Sequence, residues 1–159
     1  MVAGMPSAAP LSKLLLGDDF RPDDARGWTN VLAEVPLFAG LGARQRRKVA
    51  SVAQIRRFAA GAQLVRAGDP GDALHIVLDG KVSVLQRGKS SRALGVGSIV
   101  GELALLDGGP RTASVVAQGD VVTLTVPASR FRKLLRAEPS IAIGIAEELA
   151  RRLRAAGSA

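Results

Sequence analysis

The sequence predicts an α+β fold: a jelly-roll-like antiparallel barrel, or β-roll, flanked by N-terminal helices and two C-terminal helices. Three observations point there. Between Ile55 and Val126 the apolar period is two, in the short runs "IRRFA", "AQLVRA", "ALHIVL", "KVSVLQ", "RALGV", "ASVVAQ" and "VVTLTV". The turn-forming groups "GDPGD", "LDGK", "RGKSS" and "QGD" separate them. On either side of this region the spacing becomes helical.

Taken in chain order, residues 1–22 hold Pro6, Pro10 and Pro22 among small residues and read as a flexible leader. Residues 23–54 read as a helical segment broken at Pro36 and at Gly40 to Gly42, with Asp23 and Asp24 able to cap its first helix and Trp28 as a packing anchor. Residues 55–126 form the roll, in which Gly80 and Gly97 read as turn positions with special backbone angles, and Asp69 and Asp72 as turn residues. Residues 127–156 supply the last two helices. Pro139 opens the final one, where proline is tolerated.

Composition narrows the chemistry. At 159 residues the chain is one ordinary domain, and its 47% hydrophobic content suits a core without staples. It has no cysteine, which excludes disulfides and thiolate metal sites and fits a cytoplasmic setting. A single histidine, His75, makes no multi-histidine metal centre, and "ALHIVL" places it in a sheet. No apolar run nears the roughly 20 residues that span a bilayer, and the N-terminus lacks the basic start of a signal peptide. The initiating Met and untagged end favour a complete chain.

The net charge of +8 is uneven: residues 1–35 carry five acids and three bases, and the rest nine acids and nineteen bases. The excess lies in "RQRRK" (44–48), "RR" (56–57), "RFRKLLR" (130–136) and "RRLR" (151–154). Solvated helix faces are the plain reading, and an anionic partner docking on those helices is the sharper one. Aromatics are 3% of the chain, so stacking platforms for single strands are scarce.

The stretch with the most specific chemistry is "GELALLDGGPRTAS", residues 101–114. "ELALL" is too rich in helix formers for a strand and too short for a free helix, so a one-turn helix opening at Gly101 is expected, its first amides suited to an anion. Gly108, Gly109 and Pro110 then turn the chain and return Arg111 to the same place, with a planar fork of donors for a phosphate. Glu102 suits sugar hydroxyls, unless it serves only as an acid favoured by the helix dipole. The pair describes a ligand with an anionic group beside a hydroxyl, as in a ribose phosphate.

These residues resemble the cyclic nucleotide-binding domain family of catabolite-activator regulators, cyclic nucleotide-dependent kinases and gated channels. The family's phosphate-binding cassette is similar to Gly101-Glu102-Leu103-Ala104-Leu105-Leu106 followed by Pro110-Arg111-Thr112-Ala113. "AGDPGDALHIVLDGKVSV" (67–84) resembles its glycine-punctuated hairpins, and "VPLFAGL" (35–41) its entry helix. Val100 and His75 stand where the family commonly has an aromatic. The resemblance implies that Arg111 pairs with the exocyclic oxygens of a cyclic phosphate and that Glu102, with the Gly101 backbone, takes the ribose 2′-hydroxyl. Amides of Leu103, Ala104, Thr112 and Ala113 would complete the cradle, and the Thr112 hydroxyl would reach the phosphate or a guanine amino group.

It implies further a ligand that is bound and not turned over, cyclic AMP or cyclic GMP, with cyclic AMP favoured, and neither a catalytic residue, a cofactor nor a metal. In the family the last helix swings over the occupied pocket. Here Ile141, Ile145, Leu149 and Leu153 form one stripe with Gly144 as its weak point, and Leu149, Arg152 and Leu153 are candidates to cap the base. An exposed version of that stripe would instead make a homodimer. A cupin-like enzyme would need clustered histidines and carboxylates. A DNA-binding regulator would need a helix-turn-helix after residue 159, so DNA is not the expected partner. The expected partners are the nucleotide and an effector, either a separate protein or a domain absent from this chain.

Overall fold

A computed structural model describes residues 2–3 and 27–157. The N-terminal side is helical: α1 (Trp28–Ala33), a 3-10 turn at Pro36–Phe38, and α2 (Ala43–Val52). Helix α1 starts after Gly27, with no side-chain cap, and Trp28 packs against the core. Asp23 and Asp24 lie outside the described residues, as does the leader apart from Val2–Ala3 (β1).

Each of the seven period-two runs holds a strand: β2 (Gln54–Phe58), β3 (Gln63–Val65), β4 (Ala73–Asp79), β5 (Val82–Leu85), β6 (Arg92–Leu94), β8 (Ser114–Ala117) and β9 (Val121–Pro127). One more short strand, β7 (Ile99–Val100), lies between the fifth and sixth of these in the chain. The strands pair antiparallel into a five-stranded sheet ordered β1-β7-β4-β9-β2 and a four-stranded sheet ordered β3-β8-β5-β6. The roll is thus a sandwich of two sheets and not a closed barrel. Gly80 and Gly97 sit at φ +89° and +88°, where L side chains are strained, as their turn positions require.

Strands β4 and β9 are buried along almost their whole length because both faces of their sheet are covered. One face, with Leu74, Ile76, Leu78, Leu124 and Val126, packs on the helices around Leu32, Phe38 and Phe131. The other, with Val77, Val100 and Val121, meets Leu64, Val82, Val84 and Val115 inside the roll. His75 and Thr125 stand opposite one another on that inner face. The Nδ1 of His75 is 3.0 Å from the Thr125 hydroxyl, which lies 2.8 Å from that of Thr123. This polar strip completes its hydrogen bonding internally, as burial requires.

After the roll come α4 (Ala128–Ala137) and α5 (Pro139–Ala155), with the short α3 (Ala104–Asp107) between β7 and β8. Helix α5 is continuous, so Gly144 is no break in it. A Cβ at Gly144 would lie 2.9 Å from Leu41 Cδ2, and one at Gly40 would lie 3.4 Å from the Gly144 carbonyl oxygen. The two glycines let the helix seat closely on the turn after Phe38. Its stripe is buried at Ile141 and Ile145, half-buried at Leu149 and 62% exposed at Leu153.

Candidate functional site

The loop before β4 and the segment after β7 build the site together. Gly101 ends β7 at φ +85°, and a Cβ there would collide with the Arg111 guanidinium and lie 2.7 Å from the Ala73 carbonyl oxygen. Only glycine fits both the angle and the space. Glu102 and Leu103 turn from it into α3, and the first amide to close the helical turn is that of Leu105, which donates to the Gly101 carbonyl. The helical turn thus opens at the Gly101 carbonyl, with the helix proper over Ala104–Asp107, and the amides of Leu103 and Ala104 stand ahead of its first bond. Gly108 caps α3 in the left-handed region, at φ +66°.

Arg111 is fixed at its backbone by the opposite loop. Its N–H donates to the Asp69 carbonyl at 2.8 Å, and its own carbonyl accepts from Gly68 at 2.9 Å. A Cβ at Gly71 would strike Ala104, so this loop packs directly on α3. Reading Asp69 and Asp72 as turn residues misses this: Asp72 also approaches the arginine, its Oδ1 3.5 Å from Nη2, while its carbonyl accepts from Ala128 at the head of α4.

The Arg111 side chain is only 5% exposed. Its Nη2 donates to the Ala73 carbonyl, while Nε and Nη1 are buried without a hydrogen-bond partner. Burial pushes its pKa below the ordinary arginine value, and the charge of Asp72 opposes the shift. Since the Asp72 carboxylate is 80% exposed and at the limit of hydrogen-bond distance, it compensates the cation weakly. A buried guanidinium with two idle donors is arranged to receive an anion.

Glu102 is also buried. Its Oε1 accepts from Nη2 of Arg152 on α5 at 2.9 Å, and Arg152 Nε lies 3.7 Å from Glu148. The acid of the cassette is thus already tied to the last helix. Of the other candidates, Ala104 is half-buried and Ala113 buried, whereas Leu103 and Thr112 are exposed. Leu149 packs against the helix-side core and Leu153 faces outward, leaving Arg152 as the α5 candidate in contact with the cassette. Val65, Val100, Gly101, Arg111, Thr112, Ala113 and Val115 line a recess of about 20 Å³. Arg111 also borders a cleft of about 300 Å³ toward Gln63, Asp69 and Asp72. No group of three or more potential metal ligands occurs among the described residues, and none of their helices is long and apolar enough to cross a membrane.

The family model described as cyclic nucleotide-binding domain matches residues 55–138. The chain is 33% identical over 132 residues to a cAMP-dependent protein kinase regulatory subunit of Hypocrea atroviridis, covering 83% of this chain and 27% of that protein. It is 37% identical over 122 residues to a cyclic nucleotide-gated potassium channel of Mesorhizobium japonicum, covering 77% and 34%. It thus spans about a quarter to a third of these curated relatives. Among solved structures, the N-terminal domain of a transcriptional regulator from Streptomyces coelicolor is similar, with a TM-score of 0.71 and 33% identity over 81% of this chain and 96% of that one.

Proposed function

The chain belongs to the cyclic nucleotide-binding domain family, and we propose accordingly that it is a sensor that binds a cyclic nucleotide, cyclic AMP ahead of cyclic GMP, without turning it over. The observation that carries the reading is Arg111, buried with Nε and Nη1 unpartnered beside Gly101. A cyclic phosphate supplies the charge and acceptors it lacks. The sugar hydroxyl then donates to Glu102, which has capacity beyond the bond from Arg152. Exposed Thr112 leaves room for either purine, so the preference for cyclic AMP is modest. We place this sensor in the cytoplasm, acting on a separate effector protein or on a domain not present in this chain.

Calorimetric titration with cyclic AMP, cyclic GMP and AMP tests this directly. Both cyclic nucleotides are expected to bind, more tightly than linear AMP. Absence of heat with either one at about 1 mM, where even a Kd near that value is detectable, would sink the reading. Glu102→Ala should cost about 1–3 kcal/mol of binding through one lost charged acceptor.

The output runs through α5. A sugar hydroxyl bound at Glu102 would share that acid with Arg152 of α5, so binding acts on the contact between cassette and helix. On this reading cyclic AMP slows amide hydrogen exchange in residues 139–156 as well as 101–113. Protection confined to 101–113 would leave a rigid binder without a moving helix. A homodimer through α5 would use Ile143 and Leu153, which stand exposed.

A further inference from the structure

The charge excess is more localised than the sequence runs suggest. Helices α2 and α4 hold eight bases and no acid within their bounds: Arg44, Arg46, Arg47 and Lys48 on one, Arg130, Arg132, Lys133 and Arg136 on the other. Removing those eight from the 22 bases of the chain leaves 14, which cancel its 14 acids. These two helices thus carry bases equal in number to the net charge of +8, with no acid among them to offset it. These pack against each other and both lie over β9, so their outward stripes form one face.

Three of the eight bases are engaged within the fold. Arg46 donates to the Leu41 carbonyl, Lys48 pairs with Glu138 at 2.7 Å, and Arg132 lies beside Gly108 at the end of α3. Arg44, Arg47, Arg130, Lys133 and Arg136 point outward and are exposed. The last four have no carboxylate partner among the described residues. Neither helix exposes a large apolar side chain, since Phe131 is fully buried. The face thus offers charge and hydrogen bonds, without the apolar anchors that seat a helix in a lipid interface or the rings that stack on bases. Glu138 stands within it, 35% exposed. Its carboxylate is paired with Lys48, so the charge that the face offers a partner is that of Arg47, Arg130, Lys133 and Arg136.

We infer that the α2–α4 face docks an acidic segment of a partner protein. The guanidinium forks match carboxylates pairwise. The face is also joined to the ligand site: Phe131 of α4 shares its core with Leu105 of α3, and Arg132 borders the cassette turn. A partner held there would sense a change in the cassette.

The test uses the full chain and three probes: a fluorescent glutamate-rich peptide of roughly 15 residues, a duplex DNA of similar charge, and vesicles containing phosphatidylserine. Arg130→Gln/Lys133→Gln/Arg136→Gln is compared with Lys81→Gln/Arg87→Gln/Lys89→Gln, which removes as much charge from the exposed hairpin of the other sheet. Peptide binding should fall about tenfold in the first variant and less than about twofold in the second, and should weaken with salt. Equal losses in the two variants, or no peptide binding by the wild type at low salt, would overturn the surface. Tighter binding of duplex or vesicles than of peptide, lost in the first variant alone, would overturn the partner. Cyclic AMP titration of the same variants reports separately on the nucleotide site, since none of the substituted residues borders Arg111 or Glu102.

Discussion

Arg111→Ala is expected to abolish most cyclic nucleotide binding while leaving the ligand-free fold as stable as before. In the free protein the guanidinium is a liability: it is removed from water, Nε and Nη1 have no acceptor, and Asp72 compensates it from 3.5 Å through an exposed side chain. Deleting it relieves that desolvation but orphans the Ala73 carbonyl and leaves space beside Gly101. These terms oppose one another, so the unfolding free energy should move by no more than about 1 kcal/mol. The bound state has no such balance. There the arginine meets the ligand's charge in a buried setting, and removing it strands that charge at a cost of about 2–5 kcal/mol, or roughly 30-fold to several thousand-fold in affinity. Arg111→Lys, which keeps the charge but loses the fork, should fall between the two. Calorimetry with cyclic AMP and a denaturant melt on each variant measure both quantities. Unchanged affinity in Arg111→Ala would show that the phosphate sits elsewhere.

A second large effect is expected from acid. His75 is buried in the inner face of the sheet, and its pKa is lowered from 6.5 to about 4, first by burial and then by the charges of Arg111 and Arg56, with Asp72 opposing. The unfolded chain accepts the proton near 6.5, and the folded chain only near 4. The contribution to stability is therefore complete above 6.5, declines as the pH falls toward 4, and is gone below that. Its full size is about 3 kcal/mol. His75→Gln retains a hydrogen-bonding partner for Thr125 and does not titrate, so its stability should be flatter between pH 6.5 and about 5, above most carboxylate titration. Urea unfolding of both proteins across that window decides the matter. Identical slopes would mean that His75 titrates normally and that the buried strip is open to water.

The roll was legible because its seven period-two runs alternate with turn groups, and each run does contain a strand. Strand β7 was not, because Ile99–Val100 is two residues long, has no period, and owes its conformation to pairing with β4. Glycines and helix formers announced the cassette turn, since Gly101 and Gly108 are needed at their positive φ whatever surrounds them. Contacts across the chain were harder to see. Asp72 meets Arg111 across 39 positions, and Arg152 meets Glu102 across 50. No local spacing encodes such distances. The stripe on α5 was legible as a pattern, but its burial depends on what lies opposite: Ile141 and Ile145 share a core with Phe38 and Leu41, while Leu153 faces outward.

The close seat of α5 on Gly40 and Leu41 would give that helix leverage in the movement proposed for it. Contact at Gly144 has little slack, because a single added methyl would already crowd Leu41, and in the proposed lid movement it would serve as the fulcrum. Arg152 lies about 12 Å further along the axis at 1.5 Å per residue. A rotation of about 10° at the fulcrum would carry its guanidinium roughly 2 Å, enough to part it from Glu102, at present 2.9 Å away. Residues beyond the helix would travel further in the same motion. If the helix moves as proposed above, a small adjustment at the cassette would be amplified toward its C-terminal end at Ala155.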